Sequence, residues 1–342
     1  TPVEGEWLVR GRHPLMLTLM GLAAVAVCLL RLVIDRPPGG SLSLAWPHPD
    51  WMQFRLTAMV TAVIVGGSLA LAGTLLQTML RNPLASPFIL GVSSGAGLGL
   101  MAMAWFVYFT GTAGATMPGQ WWPSALAGAI GALAIVYVLG RRRSADGAAW
   151  LDPVALVLVG VVVSTICAGG MMFFQHLVPT GLRGQFTTWL MGSIPEYVSG
   201  WRLLFSASLA VLSLLYAFGQ HRSLDICLLS DDEATSLGVS LGSLRLGIFL
   251  SCGILTSLAV SLAGPIAFVG LIGPHAARLL VGARHRWLLP GAVLCGVTLL
   301  VGADVLRQVI DLGGGRMPVG VLLTIGGGVL FLVLLRVEMK RS

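Results

Sequence analysis

Apolar stretches of about 20 residues recur along the whole chain, separated by short polar breaks. About 20 apolar residues in a helix cross roughly 30 Å of hydrocarbon, and in lipid only helices and closed barrels satisfy their own backbone polar groups. We read ten spans, near 15–34, 54–76, 88–109, 122–139, 153–174, 200–218, 244–263, 266–282, 287–304 and 318–335. The run 244–282 is broken only by Pro265 and Pro274, so its length fits two short spans with a tight corner at Gly264-Pro265. Charged residues are 10% of the chain, against roughly 25% in a soluble domain. The expectation is an all-α membrane protein of about ten transmembrane helices, a single transmembrane domain over 1–342 with no room for a soluble one.

The first span is too long for a signal h-region and no small-x-small site follows it, so it is expected to be a retained helix. With the N-terminus placed in the cytoplasm, ten spans return the C-terminus there as well. Arg10, Arg12, Arg81, Arg141, Arg142, Arg143, Arg222, Arg245, Arg278, Arg284, Arg286, Arg336, Lys340 and Arg341 then fall inside. Arg31, Arg36, Arg55, Arg183, Arg202, Arg307 and Arg316 fall outside. Fourteen against seven is the asymmetry of basic loops retained in the cytoplasm, so the net charge of +7 reports topology, and no nucleic-acid partner is expected.

Lys340 is the one lysine in the sequence. A phosphate-binding loop of the G-x-x-x-x-G-K-[ST] type needs a lysine on the β/γ-phosphates, and Lys340 is followed by Arg341 and Ser342. Energy-driven work would require a nucleotide brought by another chain. The cysteines (Cys28, Cys167, Cys227, Cys252 and Cys295) form no C-x-x-C pair, which indicates neither a disulfide framework nor a metal site.

Three stretches are too specific to be apolar filler. The first runs from Gly73-Thr74-Leu75-Leu76-Gln77 through Arg81-Asn82-Pro83-Leu84-Ala85-Ser86-Pro87 to Leu90-Gly91-Val92-Ser93-Ser94-Gly95-Ala96. Asn82-Pro83 stops one helix, because the residue before proline avoids the α region. The small residues that follow let the next helix approach its neighbours closely. The second is Leu229-Ser230-Asp231-Asp232-Glu233-Ala234-Thr235-Ser236-Leu237-Gly238-Val239, with an N-cap candidate, acids in the first turn and a glycine stop, the pattern of a short helix. Ala234, Leu237 and Gly238 would give it a small, partly apolar face able to enter a groove on another protein. The third is Ala263-Gly264-Pro265-Ile266-Ala267-Phe268-Val269-Gly270-Leu271-Ile272-Gly273-Pro274-His275-Ala276-Ala277-Arg278.

With Trp189-Leu190-Met191-Gly192-Ser193 and Met317-Pro318-Val319-Gly320, these blocks resemble the permease subunits of type II ABC importers for iron-siderophores, haem and cobalamin, in order and spacing from about 54 to 335. The resemblance implies ten helices, a second permease subunit (identical or homologous), two cytoplasmic ATPase subunits and a periplasmic or lipid-anchored binding protein, set in the cytoplasmic (inner) membrane of a bacterium. ATP and Mg would act through the partner ATPase, with no cofactor, metal ligand or catalytic residue on this chain. The coupling helix maps onto 230–238: Ser230, Asp231, Asp232, Glu233, Ala234, Leu237 and Gly238. Arg55 matches the family arginine ahead of the second span and, with Arg307 and Arg316, is the candidate surface for the binding protein. The cargo would be a metal chelate, with ferric siderophore ahead of haem and cobalamin. The sequence departs from the family at Thr57-Ala58, where a second arginine is frequent, at Ser230 in place of glycine, at Arg316-Met317 in place of an acid, and at Gly326-Gly327-Gly328 in the last helix.

Other readings compete at single motifs. Gly91-Val92-Ser93-Ser94-Gly95 matches G-x-S-x-G, and with His176 or His275 as base an intramembrane serine hydrolase can be imagined, but that elbow needs a strand–turn–helix context. His275 could be a ligand or a relay, or a hydrogen-bonded structural group near a helix end. Met171, Met172, Phe173 and Phe174 could line a path for a bulky ligand or be adaptable packing. An ion-coupled transporter would place acids in mid-membrane, whereas Asp152, Asp304 and Asp311 lie at span ends or in a loop. Spans 2–5 and 7–10 could form an inverted repeat, since an offset of five spans reverses direction.

Overall fold

The computed structural model describes residues 12–36, 42–111, 121–143, 149–310 and 316–339; Arg10, Asp311, Lys340 and Arg341 lie outside them. In chain order the helices are α1 (Arg12–Val33), α2 (Pro49–Met79), α3 (Val92–Phe109), α4 (Trp122–Leu139), α5 (Pro153–Leu177), α6 (Thr180–Leu190), α7 (Gly200–Gly219), α8 (His221–Ile226), α9 (Asp231–Ser236), α10 (Leu241–Ala263), α11 (Val269–Val281), α12 (His285–Val309) and α13 (Val319–Met339). Two small antiparallel ribbons bridge connections, pairing Ile34 with Leu44 and Arg141 with Leu151. Neither ribbon, nor α6 and α8, carries a strong enough period to be read from sequence.

All ten expected spans correspond to apolar helices, and among the described residues eight of these are long and apolar enough to cross a membrane. The reading of 244–282 as two short spans is corrected. α10 is a full 23-residue helix, whereas α11 has 13 residues, about 20 Å at 1.5 Å per residue, which falls short of the hydrocarbon thickness. The chain turns between them at Gly264 (φ 73°) and Phe268 (φ 66°). A left-handed backbone is easy for glycine and costly for phenylalanine. The Phe268 ring packs under Gly327 and Gly328 of α13, which have no side chain to exclude it.

The pillar of the fold is α2, with 31 residues spanning about 46 Å. From Ile64 onward every residue of it is buried, against α10, α11 and α12. Lipid supplies no hydrophobic drive between helices, so close backbone approach and internal hydrogen bonds hold them. A Cβ at Gly73 would overlap the Gly270 carbonyl of α11, and Gln77 Nε2 donates to that same carbonyl at 3.4 Å. The small residues near 73 and 270 are thus explained by one helix crossing. α3, α4 and α5 pack together on the other flank.

Candidate functional site

The two ends of α2 carry two polar constellations. At its C-terminal end, Arg81 adopts φ 47°, a conformation unusual for a side chain with a Cβ. This geometry carries its guanidinium across to the 230s segment: Nε donates to the Cys227 carbonyl at 2.9 Å and Nη2 to Asp231 Oδ1 at 2.6 Å. Arg245, one turn into α10 and only 3% exposed at its side chain, donates through Nη2 to both Asp231 oxygens at 2.8 Å. Burial raises the Asp231 pKa, but hydrogen bonds and charge from Arg245 and Arg81 outweigh it and hold the carboxyl below its ordinary value.

α9 is closed by its own sequence. Ser230 caps it, accepting from Glu233 N at 3.3 Å, and Glu233 Oε2 accepts from Ser230 N at 3.0 Å, a reciprocal capping box. Hydrogen bonds from the Ser230 hydroxyl and backbone lower the Glu233 pKa. Gly238 ends the segment at φ 83°, the left-handed stop that glycine favours after a helix. A six-residue helix is far below the length that is stable alone, so it persists because it is capped at both ends and clamped through Asp231.

A second tie lies beside the first. His285, the first residue of α12, is buried; its Nδ1 lies 2.6 Å from Asp225 Oδ1 and its Nε2 2.7 Å from Thr78 Oγ1. The same carboxylate oxygen accepts from the His285 backbone N–H at 2.9 Å. Burial raises the Asp225 pKa, and the hydrogen bonds and charge from His285 more than reverse it, leaving it lowered. This Thr–His–Asp chain has the order of a charge-relay triad, but the Thr78 hydroxyl is buried and already donates to Thr74 O at 2.8 Å, so it joins α2, α8 and α12 rather than attacking a substrate. Neither Asp225 nor His285 stood out in the sequence, because only the fold brings residues 78, 225 and 285 together. The buried Cys227 thiol between the clamps is pushed up in pKa by burial.

The segment 230–238 divides into two faces. Asp231 turns toward Arg81 and Arg245, and Ala234 is 0% exposed within this chain. The expectation that Ala234 belongs to an outward apolar face is therefore corrected. Asp232, Glu233, Thr235, Ser236, Leu237 and Gly238 are exposed, with Leu237 at 60%.

At the N-terminal end of α2, Arg31 and Arg307 both pair with the buried carboxylate of Asp304. With its amide oriented to satisfy its neighbours, Gln308 accepts from Arg31 Nε at 2.8 Å and donates to Ile34 O at 3.0 Å. Arg307, expected on a docking surface, is only 7% exposed, and its charge faces its own helix. Arg55 Nη1 donates at 2.8 Å to Leu32 O, a carbonyl in the last turn of α1 that the helix leaves unpaired, and at 3.2 Å to Ile34 O in the ribbon just beyond it. Arg316 pairs with Glu196 at 2.7 Å and remains at the surface. Arg55, Arg316, Arg31, Glu196 and Gln308, with Trp51 and Phe54, line one cavity of about 290 Å³. The structure thus gathers Arg55 and Arg316, far apart in sequence, and separates Arg307 from them.

On α5, Met172 and Phe173 are exposed, whereas Met171 packs under Gly97 and Phe174 rests on Trp105 with ring centroids 5.7 Å apart. The four residues therefore do not form one surface. Ser93 lies in the first turn of α3, entered from a 3-10 turn (Pro87–Leu90) rather than a strand, and among the described residues it hydrogen-bonds to no histidine. His275 is buried in α11, its ring edge-on to Phe331 at 6.1 Å between centroids.

A model of the FecCD transport family matches residues 40–337. The hemin transport system permease protein HmuU of Yersinia pestis is 36% identical over 300 residues, 85% of this chain and 85% of that protein. The Fe(3+) dicitrate transport system permease protein FecC of Escherichia coli is 37% identical over 301 residues, 87% and 86% of the two chains. A solved inward-facing conformation of a transporter assigned to the metal-chelate ABC type superposes with a TM-score of 0.80 at 31% identity, covering 95% of this chain and 99% of that one.

Proposed function

The chain belongs to the FecCD transport family, and from that premise we propose that it is the membrane-spanning subunit of an ATP-driven importer that moves a metal chelate across the cytoplasmic membrane of a bacterium. A ferric chelate of siderophore type is the favoured cargo, ahead of haem and cobalamin; relatives that bear the names of hemin and ferric dicitrate permeases support that class. The observation that carries the reading is the clamped helix α9. A six-residue helix held by two arginines and a capping box can receive force from another protein and pass it to α2 and α10 without melting.

In this mechanism two partner ATPase subunits bind ATP and Mg and press against the exposed face of α9. Arg81 and Arg245 carry the displacement into the ends of α2 and α10, and the Asp225–His285–Thr78 tie brings α12 along. With a second permease subunit, identical or homologous, these helices alternate a path between the two sides. The exposed Met172 and Phe173 of α5 offer a soft apolar surface for it. At the other end, Arg55 and Arg316 face a periplasmic or lipid-anchored binding protein, where exposed charges steer docking.

Reconstitution tests this reading. The purified chain alone should hydrolyse no ATP, and vesicles containing it with its ATPase and binding protein should accumulate a ferric chelate in an ATP-dependent way. Accumulation driven by an ion gradient without the ATPase would overturn the proposal.

A further inference from the structure

We propose that the recess beside Arg202 binds the phosphate of an anionic phospholipid headgroup. The recess, of about 160 Å³, is lined by Trp122, Trp189, Ser193, Tyr197 and Arg202, together with the Ser261–Ala263 end of α10. Arg202 is 9% exposed. Its guanidinium lies over the Trp122 ring, 4.6 Å from the centroid, and Nη2 donates to Ser261 O at 2.5 Å. Among the described residues no carboxylate pairs with it, and its Nε has no acceptor.

A guanidinium carries five donors in a planar fork that matches phosphate, and here the protein uses one. Burying a cation without a counter-charge is expensive, so the site is built to be completed by an anion. Its position selects a lipid. Arg202 is at the start of α7, Trp122 opens α4, and Trp122 meets Trp201 edge-on at 5.5 Å between centroids. Trp and Tyr gather at the headgroup level of a bilayer, which sets the Arg202 fork at the depth of the lipid phosphates. Trp201, Leu204 and Phe205 at the same end of α7, with Tyr197 just before it, are exposed, which gives acyl chains an apolar wall next to the recess. A small soluble anion would gain the charge but not the wall. The inference does not depend on the cargo or on the ATPase.

The test uses the full chain in detergent, read by thermal midpoint and by native mass spectrometry with phosphatidylglycerol, phosphatidylcholine or inorganic phosphate. Phosphatidylglycerol should raise the midpoint and stay bound, phosphatidylcholine should do so at least tenfold more weakly, and Arg202→Gln should abolish the difference. Should Arg202→Gln fail to fold, Ser193→Asp supplies an internal carboxylate; it should raise the midpoint without lipid and remove the phosphatidylglycerol effect. Equal responses to both lipids, or an unchanged phosphatidylglycerol response in either variant, would overturn the site. A full response to inorganic phosphate alone would overturn the lipid as its source.

Discussion

Arg245 reaches both carboxylate oxygens of Asp231 at 2.8 Å from a side chain that is itself buried. The first acid of the short helix, half-exposed itself, is therefore tied to its own chain, whereas its neighbours Asp232 and Glu233 lie at the surface.

Asp231→Asn should loosen α9 more than it changes its outer surface. The half-exposed Arg81 pair contributes about 1 kcal/mol or less, but the variant also leaves the buried Arg245 charge without its carboxylate. Hydrogen exchange of residues 230–238 should accelerate while the spans stay protected. Unchanged exchange there would show that capping alone holds the helix.

The two inner ties should fail in acid. Asp225 and Asp231 both have folded pKa values below their ordinary ones, so each adds stability that is complete above the unfolded carboxylate value of about 4 and is lost as pH falls through the lower folded value. The thermal midpoint of the wild type should drop over that acid window, and the drop should shrink in an Asp225→Asn, Asp231→Asn double variant. Parallel pH curves for the two proteins would remove these carboxylates from the account.

Bulk at Ala234 and charge at Leu237 should separate folding from coupling. Ala234 is buried against its own chain, so Ala234→Trp overpacks the cradle, which costs about 1–3 kcal/mol and should lower the thermal midpoint. Leu237 is exposed, so Leu237→Glu should leave the midpoint alone and reduce ATPase stimulation by the permease. A Leu237→Glu protein that stimulates its ATPase normally would place the contact elsewhere.

Charge reversal distinguishes the outer arginines in the same manner. Arg316→Glu should weaken docking of the binding protein, most at low salt where exposed charges act furthest, with little change in stability. Arg307→Glu sets a second acid beside the buried Asp304 and should destabilise the protein by several kcal/mol. A stable Arg307→Glu variant with impaired docking would return Arg307 to the surface.

Gly73→Ala should be among the most damaging single-methyl additions, because the new Cβ would overlap the backbone of α11 at Gly270 rather than a movable side chain. We expect a loss of at least 3 kcal/mol, beyond ordinary overpacking, seen as poor recovery of folded protein from membranes.

The sequence by itself determined the ten apolar helices and the short capped helix near 230, because apolar length, proline stops and capping signals act over neighbouring residues. It also carried the family resemblance, which rests on linear blocks such as Arg81-Asn82-Pro83 and Met317-Pro318-Val319-Gly320. The tertiary structure decided which charges face outward. Asp231 and Asp232 are adjacent acids with the same local signal, yet one is clamped by Arg81 and Arg245 while the other is exposed. Arg307 and Arg316 read alike, but Arg307 shares Asp304 with Arg31, 273 positions before that acid. Desolvation and pairing depend on neighbours in space, and helix packing brings those neighbours together from distant parts of the chain, so no local pattern in the sequence carries them.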